Sequence, residues 1–263
     1  MYSIQIPALH GKYLREVLES IRSQSTQDYE VVVVNSGGGE ISDMIKEFGF
    51  KEIRKSVKLL EARYLANLGS SSEYALLLDE TKPLRRDALQ ILSSNLHDMV
   101  IIGEREIGDS LWIRLTQLDK DNIKNCNVPE PIKGFALPRL FRREILSVAM
   151  ERLRAGLKDK FHEVVFPDHE LIYYEASKIS KDVFFLKDEL IYHYGDKSLG
   201  EIANKYHRYG KSLRSLRGTP YSFMTSVGRK RRTICEGSLG DRLLLNFFYF
   251  ARALPFMLGY ILG

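Results

Sequence analysis

Polar side chains follow three apolar runs in the first third of the chain. These segments are Pro7–Gly11, Asn35–Gly39 and Asp79–Thr81. An aspartate supplies carboxylate oxygens, which hard divalent cations prefer as ligands, and an asparagine supplies both a donor and an acceptor. If the apolar runs are parallel strands, all three segments lie at the carboxyl edge of one sheet, where open α/β folds bind their ligands.

Strands and helices alternate in the part of the chain that carries these segments. Strands are predicted at Tyr2–Ile6, Glu30–Val34, Lys51–Arg54, Tyr74–Leu78 and Met99–Gly103. Helices are predicted at Tyr13–Ser25, Ile41–Phe48, Leu59–Leu68 and Asp87–Leu96. Such alternation is typical of βαβ units, and a run such as EVVVV is typical of a parallel strand covered on both faces. The sequence therefore predicts an α/β fold with a mostly parallel sheet flanked by helices.

The alternation weakens after Gly103. Residues 104–133 are polar and irregular, which predicts a long functional loop or lid. The elements predicted beyond it are a strand end running into a helix over Arg139–Leu153, a helix from Asp168 to about Ser177, and short strands at Val183–Leu186 and Leu190–His193.

Several motifs, taken in order, resemble those of inverting family-2 nucleotide-sugar glycosyltransferases, which have the GT-A fold. The opening run SIQIPALHGKYLREVLESIRSQSTQDYEVVVVNSGGG resembles that family's first strand, proline, helix and D-D-G-S turn. LEARYLANLGSSSEYALLLD at 60–79 resembles A-R-N-x-G followed by E-Y-x-x-x-L-D. FRRE at 141–144, PDHEL at 167–171 and IYH at 191–193 are similar to F-R-R-E, to the E-D-x-E-L that carries the base, and to a later histidine. The resemblance implies a GT-A, Rossmann-like domain over residues 1–196.

Asp168 stands where this family carries its catalytic base. The implied reaction needs a carboxylate that takes the proton of the acceptor hydroxyl, opposite the departing diphosphate. An inverting displacement needs one such base, whereas a retaining covalent mechanism needs a carboxylate pair. Asp168 also follows Pro167 and precedes an apolar run, which independently predicts a helix N-cap. The two roles are compatible, because an aspartate at a helix N-terminus stays ionised.

Asp79 stands where the family binds metal and diphosphate through D-x-D, but Thr81 replaces the second aspartate. A hydroxyl is a poorer ligand than a carboxylate for a hard cation. The resemblance implies a divalent Mn or Mg ion held at Asp79 and His193, with Glu80 as a substitute ligand. The alternative is that metal dependence is lost and Arg142 or Arg143 meets the diphosphate charge.

The resemblance also implies a set of residues that bind the sugar donor. This set is Pro7, Asn35, Arg63, Asp79, Glu80, Arg142, Arg143 and His193. Asn35 replaces the first aspartate of D-D-G-S and keeps a donor and an acceptor for a nucleobase. Plainer alternatives remain: Arg63 as a helix-surface cation, Gly37–Gly39 as a simple turn, and His193 as a polar residue at a strand end.

Composition and charge exclude several classes of protein. With 44% hydrophobic and 28% charged residues among 263, the chain is neither disordered nor fibrous. The formal net charge of +5 is unevenly distributed, because residues 197–232 hold ten basic residues against Glu201 alone. Such asymmetry favours a localised anionic partner. No nucleic-acid-binding motif is present, so an anionic membrane surface is the partner expected for residues 197–263, and nucleic acid is not.

The C-terminal sequence supports this expectation. Residues 199–216 place apolar side chains on one stripe of a helix that is otherwise basic. Residues 243–262, LLLNFFYFARALPFMLGYIL, have about the length of a membrane span of roughly 20 residues. Arg252 and Pro255 lie in the middle, which favours a helix or bent helical pair in the membrane interface over a clean span. A core helix packed on the α/β body is the alternative.

The ends and cysteines suggest a cytoplasmic location. Met1–Pro7 has neither a basic flank nor a long apolar run, so no signal peptide is predicted. Cys126 and Cys235 lie far apart and lack metal-ligand spacing, which predicts two free thiols in a reducing compartment. The expected place is the cytoplasmic face of the cell membrane, with peripheral or monotopic attachment.

Two functions follow from the resemblance. The first is an inverting glycosyltransferase with a nucleotide-sugar donor, working in glycan assembly on an acceptor hydroxyl or phosphate that the membrane location implies to be lipid-linked. The second is a catalytically silent nucleotide-sugar-binding module of the same fold, which the Thr81 and Asn35 departures favour. A nucleotidyltransferase is a weaker third hypothesis, because no basic glycine-rich loop follows the first strand.

Overall fold

A seven-stranded mixed sheet organises the protein in the computed structural model, which describes residues 1–131, 136–225 and 233–263. The strands are β1 Tyr2–Ala8, β2 Tyr29–Asn35, β3 Lys51–Arg54, β4 Tyr74–Leu77, β5 Met99–Glu106, β6 Pro138–Arg142 and β7 Val183–His193. Their order in the sheet is β3-β2-β1-β4-β6-β5-β7. Only β6 among these strands runs antiparallel to its neighbours, β4 and β5. The predicted α/β fold with a mostly parallel sheet is confirmed.

Helices cover both faces of this sheet. They are α1 Leu14–Arg22, α2 Gly39–Phe48, α3 Leu59–Leu68, α4 Ala88–Ser93, α5 Leu111–Cys126, α6 Arg143–Leu157, α7 Asp168–Ala176, α8 Leu199–Arg214 and α9 Leu239–Leu262. In β4 the side chains alternate: Leu76 joins the core under α1 and α2, and Leu77 joins the core under α6 and α7. Two apolar cores therefore hold the sheet edge that carries the polar segments.

The segment expected to be a long loop is mostly regular structure. β5 continues to Glu106, and α5 then spans Leu111–Cys126, so the expectation of an irregular 104–133 lid is wrong for this part. Ser110 caps α5 by accepting a hydrogen bond from the backbone of Ile113. The helix was hidden because its inner face also buries polar side chains, Asp119 and Asn122. Residues 132 and 133 lie outside the described residues.

Two short strands predicted near the end of the α/β body are one strand, β7. Its pairing with β5 shifts register at Gly103, so that residues 187–188 bulge between the paired positions. A Cβ at Gly103 would lie 2.5 Å from the Asp188 carbonyl oxygen, which explains the need for glycine. β1 likewise runs through Pro7 to Ala8 rather than ending at the proline.

Cys126 and Cys235 form a disulfide, so the expectation of two free thiols is wrong. The pairing joins the end of α5 to the segment that leads into α9, with the Cα atoms 6.1 Å apart. Asn122 holds that segment in place, because its side-chain oxygen accepts hydrogen bonds from the backbone of Cys235 and Glu236 at 2.7 and 2.9 Å. A contact made over 109 residues of separation leaves no local signal in the sequence.

The C-terminal helices pack on each other and on the α/β body. α8 and α9 meet at two glycines: a Cβ at Gly210 would strike the Phe256 carbonyl, and one at Gly259 would strike the His207 carbonyl. Leu213 of α8 lies in the same apolar core as α6 and α7. The C-terminal helices are therefore fixed to the same face of the sheet as α7, the helix that begins at Asp168.

Candidate active site

The centre of the candidate site is the buried guanidinium of Arg63, which is 1% exposed. Its Nε donates to Asp168 Oδ2 at 2.6 Å, and its Nη2 donates to Asp79 Oδ1 at 2.6 Å. Its Nη1 donates to the carbonyl of Leu78 at 3.3 Å. Three elements thus converge, since Arg63 comes from α3, Asp79 follows β4, and Asp168 begins α7. The alternative of Arg63 as a surface cation is wrong.

Asp168 lies at the start of α7 but does not cap it. The N-cap residue is Pro167, which gives no side-chain cap, and the Asp168 carboxylate turns to Arg63 instead. Burial raises the pKa of Asp168, although the charge and hydrogen bond of Arg63 oppose the shift. A carboxylate with a raised pKa holds a proton more firmly, which suits a general base.

Asp79 is surrounded by cations. Arg139 Nη1 lies 3.3 Å and Lys82 Nζ 3.8 Å from Asp79 Oδ2, while Arg63 takes the other oxygen. Burial alone would raise the pKa of Asp79, but the charges of Arg63, Arg139 and Lys82 outweigh it and hold that pKa well below its usual range. Asp79 is therefore ionised throughout the neutral range.

Glu104, in strand β5, binds the Lys82 and Arg139 side chains that lie beside Asp79. Its carboxylate binds Lys82 at 2.7 Å, Lys120 at 2.8 Å and Arg139 at 3.0 Å. Burial lowers the pKa of Lys82 to about 8, helped by the charge of Arg139. A carboxylate that accepts from three cations fixes their positions relative to Asp79.

The ion network ends at His193. Lys120 lies 2.7 Å from Glu106, whose Oε1 is 2.7 Å from His193 Nδ1. Burial raises the pKa of Glu106, but the hydrogen bond from His193 and the charge of Lys120 outweigh it and bring that pKa to about 2. Burial and the charges of Lys82 and Lys120 lower the pKa of His193 to about 4. Charged contacts thus run continuously from Asp168 to Glu106, which is hydrogen-bonded to the neutral His193 at the end of β7.

His169, next to Asp168, faces the same cluster. Arg139 Nη1 lies 2.6 Å from His169 Nε2, and because a guanidinium cannot accept, this nitrogen is the acceptor. Its Nδ1 is buried with no hydrogen-bond partner among the residues that the structure describes. Burial, with Arg63 and Arg139 nearby, holds the pKa of His169 well below its usual range.

Two of the expected donor-binding residues hold the loops around the site, and a third lies in a strand that ends there. Glu80 accepts hydrogen bonds from the backbone amides of residues 9, 10 and 11, which ties the loop after β1 to the end of β4. Asn35 is 1% exposed and holds the turn after β2 through Gly38, Ser42 and Glu52. Pro7 lies within β1, opposite Val34 of β2.

Arg142 and Arg143 lie at the opposite edge of the sheet, so the expectation that they join the site is corrected. Because β6 runs antiparallel, its last residue Arg142 pairs with Tyr74, the first residue of β4. Arg143 donates to the carbonyl of Ser72, which precedes β4. The first residues of β6 lie at the carboxyl edge of the parallel strands, so Arg139 is the arginine of β6 that lies at the site.

Sequence reasoning missed several members of the network. They are Lys82, Glu104, Glu106, Lys120, Arg139 and His169. One signal was present: Glu104 and Glu106 lie two positions apart, the spacing that places two side chains on one face of a strand. Arg139 gave no usable signal without the direction of β6.

The donor set around Asp79 does not fit a divalent metal ion. Both carboxylate oxygens already accept from guanidinium groups, and Lys82 adds a third positive charge nearby. His193 binds Glu106 and is not joined to Asp79. Across residues 1–131, 136–225 and 233–263, no group of three or more His, Cys, Asp or Glu side chains forms a candidate metal site.

A cavity of about 180 Å³ opens beside the network. Arg139, Lys120 and Glu104 line it together with apolar residues of β5. Part of the charged cluster is therefore accessible from this cavity.

Solved glycosyltransferase structures share this fold. TarS residues 1–349 from S. aureus, in complex with UDP-GlcNAc, aligns with a TM-score of 0.57 at 14% identity, over 98% of this chain and 89% of that one. The mannosyltransferase PcManGT from Pyrobaculum calidifontis, in complex with GDP-Man and Mn²⁺, gives 0.59 at 14%, over 98% and 72%. The longer TarS chain gives 0.54 at 13%, and this chain spans about half of its length, 54%.

Sequence comparisons add no closer relative, since neither a protein-family model nor a curated protein sequence matches the chain. At the identities above, structural likeness establishes the fold alone. The protein thus has the α/β fold of these nucleotide-sugar glycosyltransferase structures, with a buried ion network at the edge where such folds bind ligands.

Replacing Arg63 tests whether it holds the site together. Arg63→Met leaves the buried carboxylate of Asp168 and the partly buried carboxylate of Asp79 without their shared partner, and we expect the free energy of unfolding to fall by about 3–5 kcal/mol. Denaturant unfolding measures the change, with the exposed Arg86→Met as the matched control, expected within about 0.5 kcal/mol of wild type. Equal stability of the two variants would contradict the central role of Arg63.

The lowered pKa of His193 predicts an acid-sensitive contribution to stability. Folded His193 stays neutral down to about pH 4, whereas the unfolded chain binds a proton below about 6.5, so stability is lost as pH falls through this window. We expect His193→Gln to lose less stability than wild type between pH 6.5 and 5, by at most about 2 kcal/mol. The exposed His10→Gln is the control, and parallel pH profiles for all three proteins would refute the assignment.

Proposed function

We propose that this protein is an inverting glycosyltransferase that moves a sugar from a nucleoside-diphosphate sugar to an acceptor. The observation that carries the proposal is the pairing of Asp79 and Asp168 on one guanidinium at the carboxyl edge of the sheet. Glycosyltransferase structures with the same fold, solved with UDP-GlcNAc and with GDP-Man, support a nucleotide sugar as the donor.

Asp168 is the proposed catalytic base. Its raised pKa favours uptake of a proton, and its position on α7 separates it from Asp79 by the width of the Arg63 guanidinium. In the inverting reaction the acceptor oxygen attacks the anomeric carbon as its proton passes to Asp168 and the diphosphate departs on the other side. Arg63 keeps the base oriented and ionised until the acceptor arrives.

The donor would lie along the loops that follow β1, β2 and β4. Asn35 and Glu80 shape these loops through backbone hydrogen bonds, so we assign them to the form of the donor site rather than to direct base recognition. Pro7 and His193 border the same edge from β1 and β7. A divalent cation at Asp79, as in the Mn²⁺-containing mannosyltransferase structure, would have to displace the guanidinium groups already bound there.

The proposed place of work is an anionic membrane surface, reached through residues 197–263; the Cys126–Cys235 disulfide removes the support that free thiols would have given for the cytoplasmic side. α9 is long and apolar enough to cross a membrane by length and composition, with 17% of its most apolar window buried. Its exposed apolar side chains follow helical steps along one stripe, among them Leu243, Phe247, Phe250 and Leu254. The basic cluster 229–232 expected to assist binding lies outside the described residues.

The contacts of Arg252 support the proposal that α9 lies on a membrane surface rather than across the bilayer. Its Nη1 lies 2.8 Å from Asp119 Oδ2 of α5, and Tyr249 donates to the other oxygen of Asp119 at 2.9 Å. Crossing the bilayer would break this buried ion pair, whereas lying along the interface preserves it and leaves the exposed stripe for lipid. A lipid-linked acceptor would then reach the site from the membrane.

A silent nucleotide-sugar-binding module remains the second candidate. The observation that favours it is the tight pairing of the proposed base with Arg63, 2.6 Å apart within a buried environment. This candidate predicts donor binding without transfer.

Replacing the base separates these functions. We expect Asp168→Asn to lower sugar transfer by about 10²–10⁴-fold while donor binding persists, because the amide keeps the shape but cannot take the proton. Release of nucleoside diphosphate from UDP-GlcNAc and GDP-Man, with a polyprenyl phosphate as acceptor, measures transfer. The exposed Asp159→Asn should match wild type; unchanged turnover in Asp168→Asn would exclude the base, and binding without product in wild type would favour the silent module.

Membrane binding depends on the exposed stripe of α9. We expect Phe247→Ser, Phe250→Ser and Leu254→Ser together to weaken binding to phosphatidylglycerol vesicles at least about 100-fold, since each side chain loses its apolar transfer energy. Flotation measures the bound fraction. Leu68→Ser, Leu96→Ser and Val128→Ser remove three exposed apolar side chains elsewhere as a matched control, and equal flotation of both triple variants would end the membrane proposal.

A further inference from the structure

We infer that Lys82 and Arg139 take the place of a divalent cation in this protein, so that diphosphate binding and sugar transfer proceed without metal. The inference rests on the proposed function and names the groups that meet the leaving diphosphate. It starts from the chemistry of the residues around Asp79.

Cationic side chains already occupy both carboxylate oxygens of Asp79, which a metal ion would need as ligands. Among the described residues, Arg63 binds one oxygen at 2.6 Å, and Arg139 and Lys82 lie 3.3 and 3.8 Å from the other. A divalent ion at these oxygens would be repelled by three neighbouring positive charges. Thr81 removes the second carboxylate that would have attracted such an ion.

The cations are held in fixed positions rather than left mobile. Lys82 is 5% exposed and contacts both oxygens of Glu104 at 2.7 Å. Arg139 is anchored by Glu104 at 3.0 Å and by His169 at 2.6 Å. Groups fixed before the reaction stabilise developing charge without the cost of reorganising.

Asp79 and Arg139 are both accessible to a ligand, and Lys120 and Glu104 line the same cavity as Arg139. The Asp79 side chain is 26% exposed, and Arg139 lines the 180 Å³ cavity beside β5. An entering diphosphate can therefore replace Asp79 as a partner of Arg139 and Lys82. A guanidinium offers two parallel donors to phosphate oxygens, and an ammonium offers a compact charge.

The reaction balances with these groups alone. The acceptor oxygen forms a bond to the anomeric carbon, and the bond from that carbon to the diphosphate oxygen breaks with its electron pair staying on the diphosphate. The acceptor proton passes to Asp168. The added negative charge on the diphosphate is met by Lys82 and Arg139, and no electron or proton is left unassigned.

Binding of UDP, GDP and inorganic pyrophosphate to the full chain tests the inference. Isothermal titration is carried out in EDTA and again with Mn²⁺. We expect UDP or GDP to bind equally well in both, and Lys82→Gln or Arg139→Gln to weaken that binding by about tenfold or more, the scale of one charged hydrogen bond. Binding of uridine or guanosine, which lack phosphate, should stay unchanged, and the exposed Lys187→Gln is the matched control.

Each other outcome has a distinct meaning. Nucleotide binding that appears only with Mn²⁺ overturns the inference and leaves the proposed function standing. Metal-independent binding that neither glutamine variant weakens also overturns it. No nucleotide binding under either condition overturns the proposed function itself. If Lys82→Gln fails to fold, Lys82→Arg keeps the charge and should retain binding in EDTA, whereas a tenfold loss in a folded Lys82→Arg that Mn²⁺ restores would contradict the inference.

Discussion

The pairing of one buried guanidinium with two carboxylates is the constraint on which the rest of the site depends. A charge as deeply buried as that of Arg63 is tolerable only when its donors are satisfied, and Asp79, Asp168 and the Leu78 carbonyl satisfy them. These partners come from residues that lie far apart in sequence. The interaction therefore fixes α3, the end of β4 and the start of α7 relative to one another, and any ligand site at this edge inherits that geometry.

The helical extension takes part in the same constraint. Ser212 of α8 accepts hydrogen bonds from the backbone of Val165 and Phe166 at 2.8 and 3.0 Å, and Tyr209 stacks on the Phe166 ring. These contacts hold the segment that leads into Asp168. α5 adds a second connection, since Asp119 binds α9 and the adjacent Lys120 binds Glu104 and Glu106. These contacts therefore connect α9, through α5, to the proposed catalytic edge of the sheet.

The sequence predicted well the helices and strands whose bounds depend on local residue pattern. α3 was predicted at Leu59–Leu68 and found there, and β3 likewise at Lys51–Arg54, because apolar periodicity and turn residues specify such elements. Contacts that depend on topology were not predicted. Because β6 runs antiparallel, Arg139 lies at the site and Arg142 does not. α5 escaped because buried Asp119 and Asn122 concealed its inner face, and those two side chains serve the C-terminal segment rather than the core.

Under the proposed function, the ion network directs binding toward the transition state. Before a donor arrives, the cations Arg63, Lys82, Lys120 and Arg139 are matched by the carboxylates of Asp79, Glu104, Glu106 and Asp168. A diphosphate must compete with Asp79 for Lys82 and Arg139, so its ground-state gain is reduced by the ion pairs it replaces. In the proposed transfer, the diphosphate acquires further negative charge as the sugar departs while Asp79 does not, so the same cations favour the later state. Interactions that strengthen along the reaction raise the rate rather than only the affinity.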